Sequence, residues 1–193
     1  QTLESENAVS SFLCALPSDA RVALLMQESG FSLAASDGAQ AVIPFSQGLL
    51  GGGLDPLSAA KALEPLLTGT RRLILFNAKR LKTELAPWDL AVTAPFDDDQ
   101  IMQYLIAPQS GKYEAPENAA ALFTRTLSDE QTLDVQEMSR LYREIELPLL
   151  DTLYAMERDG FLVDRDELAQ LGAQYDAQIA DLKEEIFSLC GCA

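Results

Sequence analysis

An α/β domain with a mixed sheet, continued by long helices, is the architecture the sequence predicts. Three observations carry this. Residues 21–27 (Arg-Val-Ala-Leu-Leu-Met-Gln) form a continuous apolar run of strand length, as expected for a strand buried on both faces. A second such run, 72–76, follows a helical stretch and is parallel by crossover logic. After residue 117 the apolar positions settle into a sustained helical period.

The elements follow in order. The first dozen residues are polar and then apolar, and Phe12, Leu13 and Leu16 are expected to pack as an edge segment. Ser29-Gly30 makes a turn, and residues 31–35 and 39–45 flank Ser36-Asp37-Gly38, a hairpin signal. The chain thus opens on an antiparallel three-strand meander. A glycine-rich loop over 48–56 leads into a helix to about Leu67, capped by Asp55 with Pro56 in its first turn. Its Gly51-Gly52-Gly53 run lacks the Lys-Ser/Thr that a phosphate cradle requires. A helix over 78–85, a short strand over 90–93 and a helix over 98–106 complete the pattern βββαβαβα.

Beyond a polar loop at 108–116, one helix is predicted over 118–126 and a very long one over 129–159. Pro148 lies inside the latter, where it removes a backbone hydrogen bond and should kink the helix. Gly160 suits a helix C-terminus, and Asp164 with Glu167 forms an N-terminal capping pattern for the last helix. That helix carries Leu168, Leu171, Tyr175, Ile179, Leu182, Ile186 and Leu189 on a three-four spacing. The stripe calls for a partner surface. Hairpin packing on the preceding helix is expected, with dimerisation or a crystal contact covering the remainder.

Composition restricts function. Of 193 residues, 14 are Lys or Arg and 30 are Asp or Glu, a formal net charge of −16, so the surface repels phosphate backbones at range. With one Trp and no alternation of aromatic and basic residues, a passive single-stranded DNA module is disfavoured. One local exception exists. Arg71, Arg72, Lys79, Arg80 and Lys82 gather within a dozen residues, and a solvated helix end explains them as well as a phosphate contact does. There is no histidine, which removes the usual general base and every Ser-His or Cys-His nucleophile pair. Three cysteines, Cys14, Cys190 and Cys192, form no disulfide framework and point to thiols in a reducing cytoplasm. Cys190-Gly191-Cys192 by itself cannot complete a zinc shell. No apolar run reaches membrane-spanning length and no signal peptide is present. Gln1 and the Cys-Gly-Cys-Ala end both suggest cuts inside a longer chain.

Residues 141–150 (Leu-Tyr-Arg-Glu-Ile-Glu-Leu-Pro-Leu-Leu) and 154–164 (Tyr-Ala-Met-Glu-Arg-Asp-Gly-Phe-Leu-Val-Asp) closely resemble a junction in family A DNA polymerases of the polymerase I type. There the proofreading exonuclease domain gives way to the polymerase thumb. Phe96-Asp97-Asp98, followed by Tyr104-Leu-Ile-Ala-Pro108, is similar to the family's Asp-Thr and Tyr-Leu-Leu-Asp-Pro segment. The resemblance implies a ribonuclease-H-like (DnaQ-like) exonuclease domain over 1–127. It further implies that 128–193 hold the junction and the first helices of the polymerase domain.

An active member of this family holds two metal ions on four acids, because hard divalent ions take carboxylate oxygens. The first two acids lie as Asp-x-Glu at the end of the first strand, and here those positions are Met26 and Glu28. The third follows an Asn-x-Lys pattern, which Asn77-Ala78-Lys79 matches, and its position is Leu81. The best match to the fourth is Asn118, without the family's Tyr at the required spacing. The resemblance therefore implies no exonuclease turnover, no metal and no other cofactor in this stretch, with Mg²⁺ reserved for the parent polymerase. The implied role is structural support of the polymerase module in DNA replication and repair, in the cytoplasm of a bacterium. DNA would be met through the parent protein, whose palm acids lie beyond Ala193. The competing readings are a residual nuclease using Glu28 with Asp97, Asp98 and Asp99, or weak single-stranded DNA binding. Helix capping accounts for the three aspartates more simply.

Overall fold

The computed structural model describes residues 1–46 and 52–191. Its centre is a five-stranded mixed sheet in the order β3-β2-β1-β4-β5, formed by β1 (Val22–Gln27), β2 (Gly30–Ala35), β3 (Gln40–Pro44), β4 (Leu73–Leu75) and β5 (Phe96–Asp98). The meander β1–β3 is antiparallel, while β1, β4 and β5 run parallel. The first four residues of β1, all of β2 and all of β4 are buried, as continuous apolar runs require.

Gly30 opens β2 at φ 148°, and a Cβ built there would lie 2.2 Å from the Ile43 carbonyl oxygen. Strand β3 therefore approaches β2 as closely as it does because that position has no side chain. Gly30→Ala should destabilise the domain by about 2–4 kcal/mol, from overpacking plus a strained φ. A urea melt shifted by less than about 1 kcal/mol would contradict this.

Around the sheet lie α1 (Glu6–Ala15), α2 (Pro56–Ala62), α3 (Glu64–Leu67), α4 (Ala78–Leu85), α5 (Asp99–Ile106) and α6 (Ala119–Val135). One core face gathers Val22, Leu24, Phe31, Leu33, Leu73 and Leu75 with α1, α2, α3 and α4. The other gathers Ala23, Leu25 and Ile74 with Ala119 and Leu122 of α6.

Several expectations are corrected. The N-terminal apolar residues are not an edge segment but the inner face of α1, which starts on the Ser5 cap. Val9, Phe12, Leu13 and Leu16 follow a helical spacing and are all buried. The predicted helix to Leu67 is two helices, broken where Pro65 follows Leu63-Glu64. No strand forms at 90–93. Thr93 and Ala94 donate their N–H groups to the Leu67 carbonyl, and the strand follows three residues later as β5. Part of the glycine-rich loop lies outside the described residues.

The helical boundary is also displaced. Ser128-Asp129-Glu130 mimics an N-terminal cap, yet α6 runs unbroken through it to Val135, because Leu122, Thr126 and Leu133 keep one face buried. The break comes instead at Glu137, which takes a left-handed φ of 58°. The chain resumes as α7 (Ser139–Leu141), a π-helical turn over Tyr142–Glu146, and α8 (Leu147–Asp159). In the π turn the Leu147 N–H reaches the Tyr142 carbonyl, and Pro148 follows at once. Proline lacks the N–H for the next helical bond and its ring crowds the preceding turn, and the chain meets it with a widened turn at the place where a kink was expected.

The chain divides into two compact units, 1–158 and 159–193. The first therefore takes in the whole of α6, which straddles the boundary read at 127/128. The second is dominated by α9 (Arg165–Cys190), a single 26-residue helix started by the Asp164 cap. Its Leu168, Tyr175, Ile179, Leu182 and Ile186 are exposed. No helix among the described residues is long and apolar enough to cross a membrane.

Candidate functional site

The carboxyl ends of the parallel strands face one edge of the sheet, β1 running beyond β4 and β5, and it is at such edges that open α/β sheets take their ligands. Met26 of β1, Leu75 of β4 and Asp98 of β5 mark that edge, and α4 and α5 begin there.

Met26 sits on β1 opposite Phe31, half-buried. Leu81, on the inner face of α4, is buried. Both line one small cavity of about 70 Å³, together with Leu24, Phe76, Asn77, Arg80 and Glu84. The local sequence builds this wall simply. Asn77 adopts the left-handed region at φ 57° and caps α4 by accepting the Arg80 N–H, which turns Leu81 inward one turn later. Glu28 and Asn118 do not line the cavity. Glu28 is exposed in the turn after β1, and Asn118 caps α6, its side-chain oxygen accepting the Ala121 N–H at 2.9 Å.

A two-metal centre needs several hard oxygen ligands. At Met26 and Leu81, two of the positions where the resemblance would place acids, this cavity offers a thioether and an isobutyl group. Of its side-chain oxygens, that of Asn77 accepts at the α4 cap and one of Glu84 accepts from Arg80 at 2.7 Å. Among the described residues, no group of three or more His, Cys, Asp or Glu side chains could hold an ion. A thioether and an isobutyl group supply no hard oxygen to a divalent ion.

The neighbouring acid row has other work. Asp97, Asp98 and Asp99 are 0%, 1% and 0% exposed. The Asp97 carboxylate accepts from Arg72 Nε and a second Arg72 nitrogen at 2.6 and 2.8 Å, and from Arg21 at 3.2 Å. Arg21 is held in turn by Glu130 of α6 at 2.8 and 2.9 Å. Asp99 accepts from Arg125 Nε and from the Thr126 hydroxyl, both at 2.9 Å. Only Asp98 caps a helix in the expected way, accepting the Gln100 and Ile101 N–H groups. Its second oxygen accepts the Ala78 N–H at 2.6 Å, so one carboxylate joins the starts of α4 and α5. The Asp98 N–H donates to the buried Tyr142 hydroxyl at 2.8 Å. Burial pushes the Asp98 carboxyl up to about 6, against the pull of its backbone N–H donors. Burial likewise raises Asp99, against Arg125 and Thr126, and raises the Tyr142 phenol, with Asp97 adding to it.

The basic run is also engaged. Arg71 donates to the carbonyls of Leu13, Leu16 and Pro17 at the end of α1. Arg72 holds Asp97, and Arg80 holds Glu84. Lys79 pairs with Glu157 at 2.7 Å, and Lys82 pairs with Asp151, both partners on α8. Sequence reasoning missed Arg21, Arg125, Glu130 and Tyr142 as partners of the acid row. Nothing in local spacing links residues so far apart along the chain.

No protein-family model matches the chain. Its fold is the ribonuclease-H-like one. It superposes on Escherichia coli RNase D, an exoribonuclease involved in structured RNA processing, with a TM-score of 0.53 at 14% identity, over 81% of this chain and 50% of that one. It also superposes along its whole length on 38% of the polymerase-domain structure of Pol1 from M. smegmatis, solved with a DNA primer-template and dNTP, with a TM-score of 0.66 at 22% identity.

In sequence the likeness is to DNA polymerase I, as residues 141–164 suggested. A 59-residue stretch is 39% identical to the enzyme of Caldicellulosiruptor bescii, covering 31% of this chain and 7% of that protein. Over 86 residues it is 37% identical to that of Chloroflexus aurantiacus, covering 43% and 9%. Over 125 residues it is 29% identical to the thermostable DNA polymerase I of Thermus thermophilus, covering 53% and 15%. The matched stretches span no more than 15% of these relatives.

Proposed function

We propose that this chain is a segment of a bacterial, cytoplasmic DNA polymerase I, holding a proofreading domain that no longer cuts DNA and that serves as a rigid support for the polymerase module. The observation carrying the loss of turnover is the pairing of Met26 with Leu81 on one cavity, where the chemistry calls for carboxylates. The reading of a residual nuclease centred on Asp97, Asp98 and Asp99 is disfavoured by their burial and by the partners that occupy their oxygens. Nucleotidyl transfer, with its Mg²⁺, and the role in replication and repair belong to the parent protein. DNA is met through that parent.

The supporting role draws on the long-range bonds of the first unit. Tyr142, Asp151 and Glu157 tie the segment after Glu137 to β5 and α4. Incubation of the protein with end-labelled single-stranded DNA and Mg²⁺ or Mn²⁺ should leave the 3′ end intact. Progressive trimming that disappears in Glu28→Gln would overturn the reading.

A further inference from the structure

We draw no further inference here: the strongest candidate, the exposed apolar stripe of Leu168, Tyr175, Ile179, Leu182 and Ile186 along α9, is an unpartnered helix face, and nothing in the structure shows what covers it.

Discussion

Asp97→Ala should cost the domain about 3 kcal/mol of unfolding free energy. Breaking a buried ion pair by removing one partner costs on the order of 3–5 kcal/mol, because the other charge is stranded. The lower end applies here, since Arg21 and Arg72 keep 26% and 37% side-chain exposure and Arg21 retains Glu130. Arg72 loses both of its bonds to Asp97. Urea denaturation at neutral pH reads this directly. A loss under about 1 kcal/mol would mean that the paired arginines rehydrate freely and that the acid row holds little together.

Asp98→Asn should grow steadily more favourable, relative to Asp98 itself, as pH rises from 4 to 7. The carboxyl lies near 6 in the folded protein, above its ordinary value of 3.8. The folded state therefore binds the extra proton across that window. The stability this contributes is fully present below about pH 4 and is lost as pH rises through 6. The span corresponds to on the order of 3 kcal/mol. Asparagine caps helices about as well as aspartate and does not titrate, so it removes the pH dependence while keeping most of the bonds. Asp99 and Asp129 are raised in the same sense by burial and add to the background slope in both proteins. A difference between the two proteins that stays flat from pH 4 to 7 would show that the Asp98 carboxylate is ionised throughout.

What the sequence disclosed, and what it hid, follows from range. The meander was legible because Ser36-Asp37-Gly38 and the apolar run ending at Met26 are local signals, and β1, β2 and β3 lie within about two residues of their expected places. Helix α1 was legible in principle, since Val9, Phe12, Leu13 and Leu16 share one helical face, but the polar start obscured it. Strand β5 was missed because an acidic Phe-Asp-Asp triplet has low strand propensity, and partly exposed arginines from other elements, paired with the buried Asp97, override that preference. The candidate cavity is a mixed case. The family pattern identified Met26 and Leu81, and the fold brings them together, whereas Glu28 and Asn118 stand apart from them. The destinations of Lys79 and Lys82 were beyond any local reading, because their partners lie 78 and 69 residues further on.

The bonds that seat β5 have a kinetic consequence. Arg21, Arg72, Arg125 and Tyr142 converge on three successive aspartates from separations of up to 76 residues, while β1 to β3 pair with their sequence neighbours. Closing such distant loops is slow, so the hairpins are expected to form in the transition state and the last strand to dock after it, which low φ-values for Arg21, Arg72 and Asp97 substitutions would check. Weakening that late docking leaves the refolding rate nearly untouched and accelerates unfolding instead. The lifetime of the native state, more than the speed of reaching it, is what this row of aspartates is expected to govern.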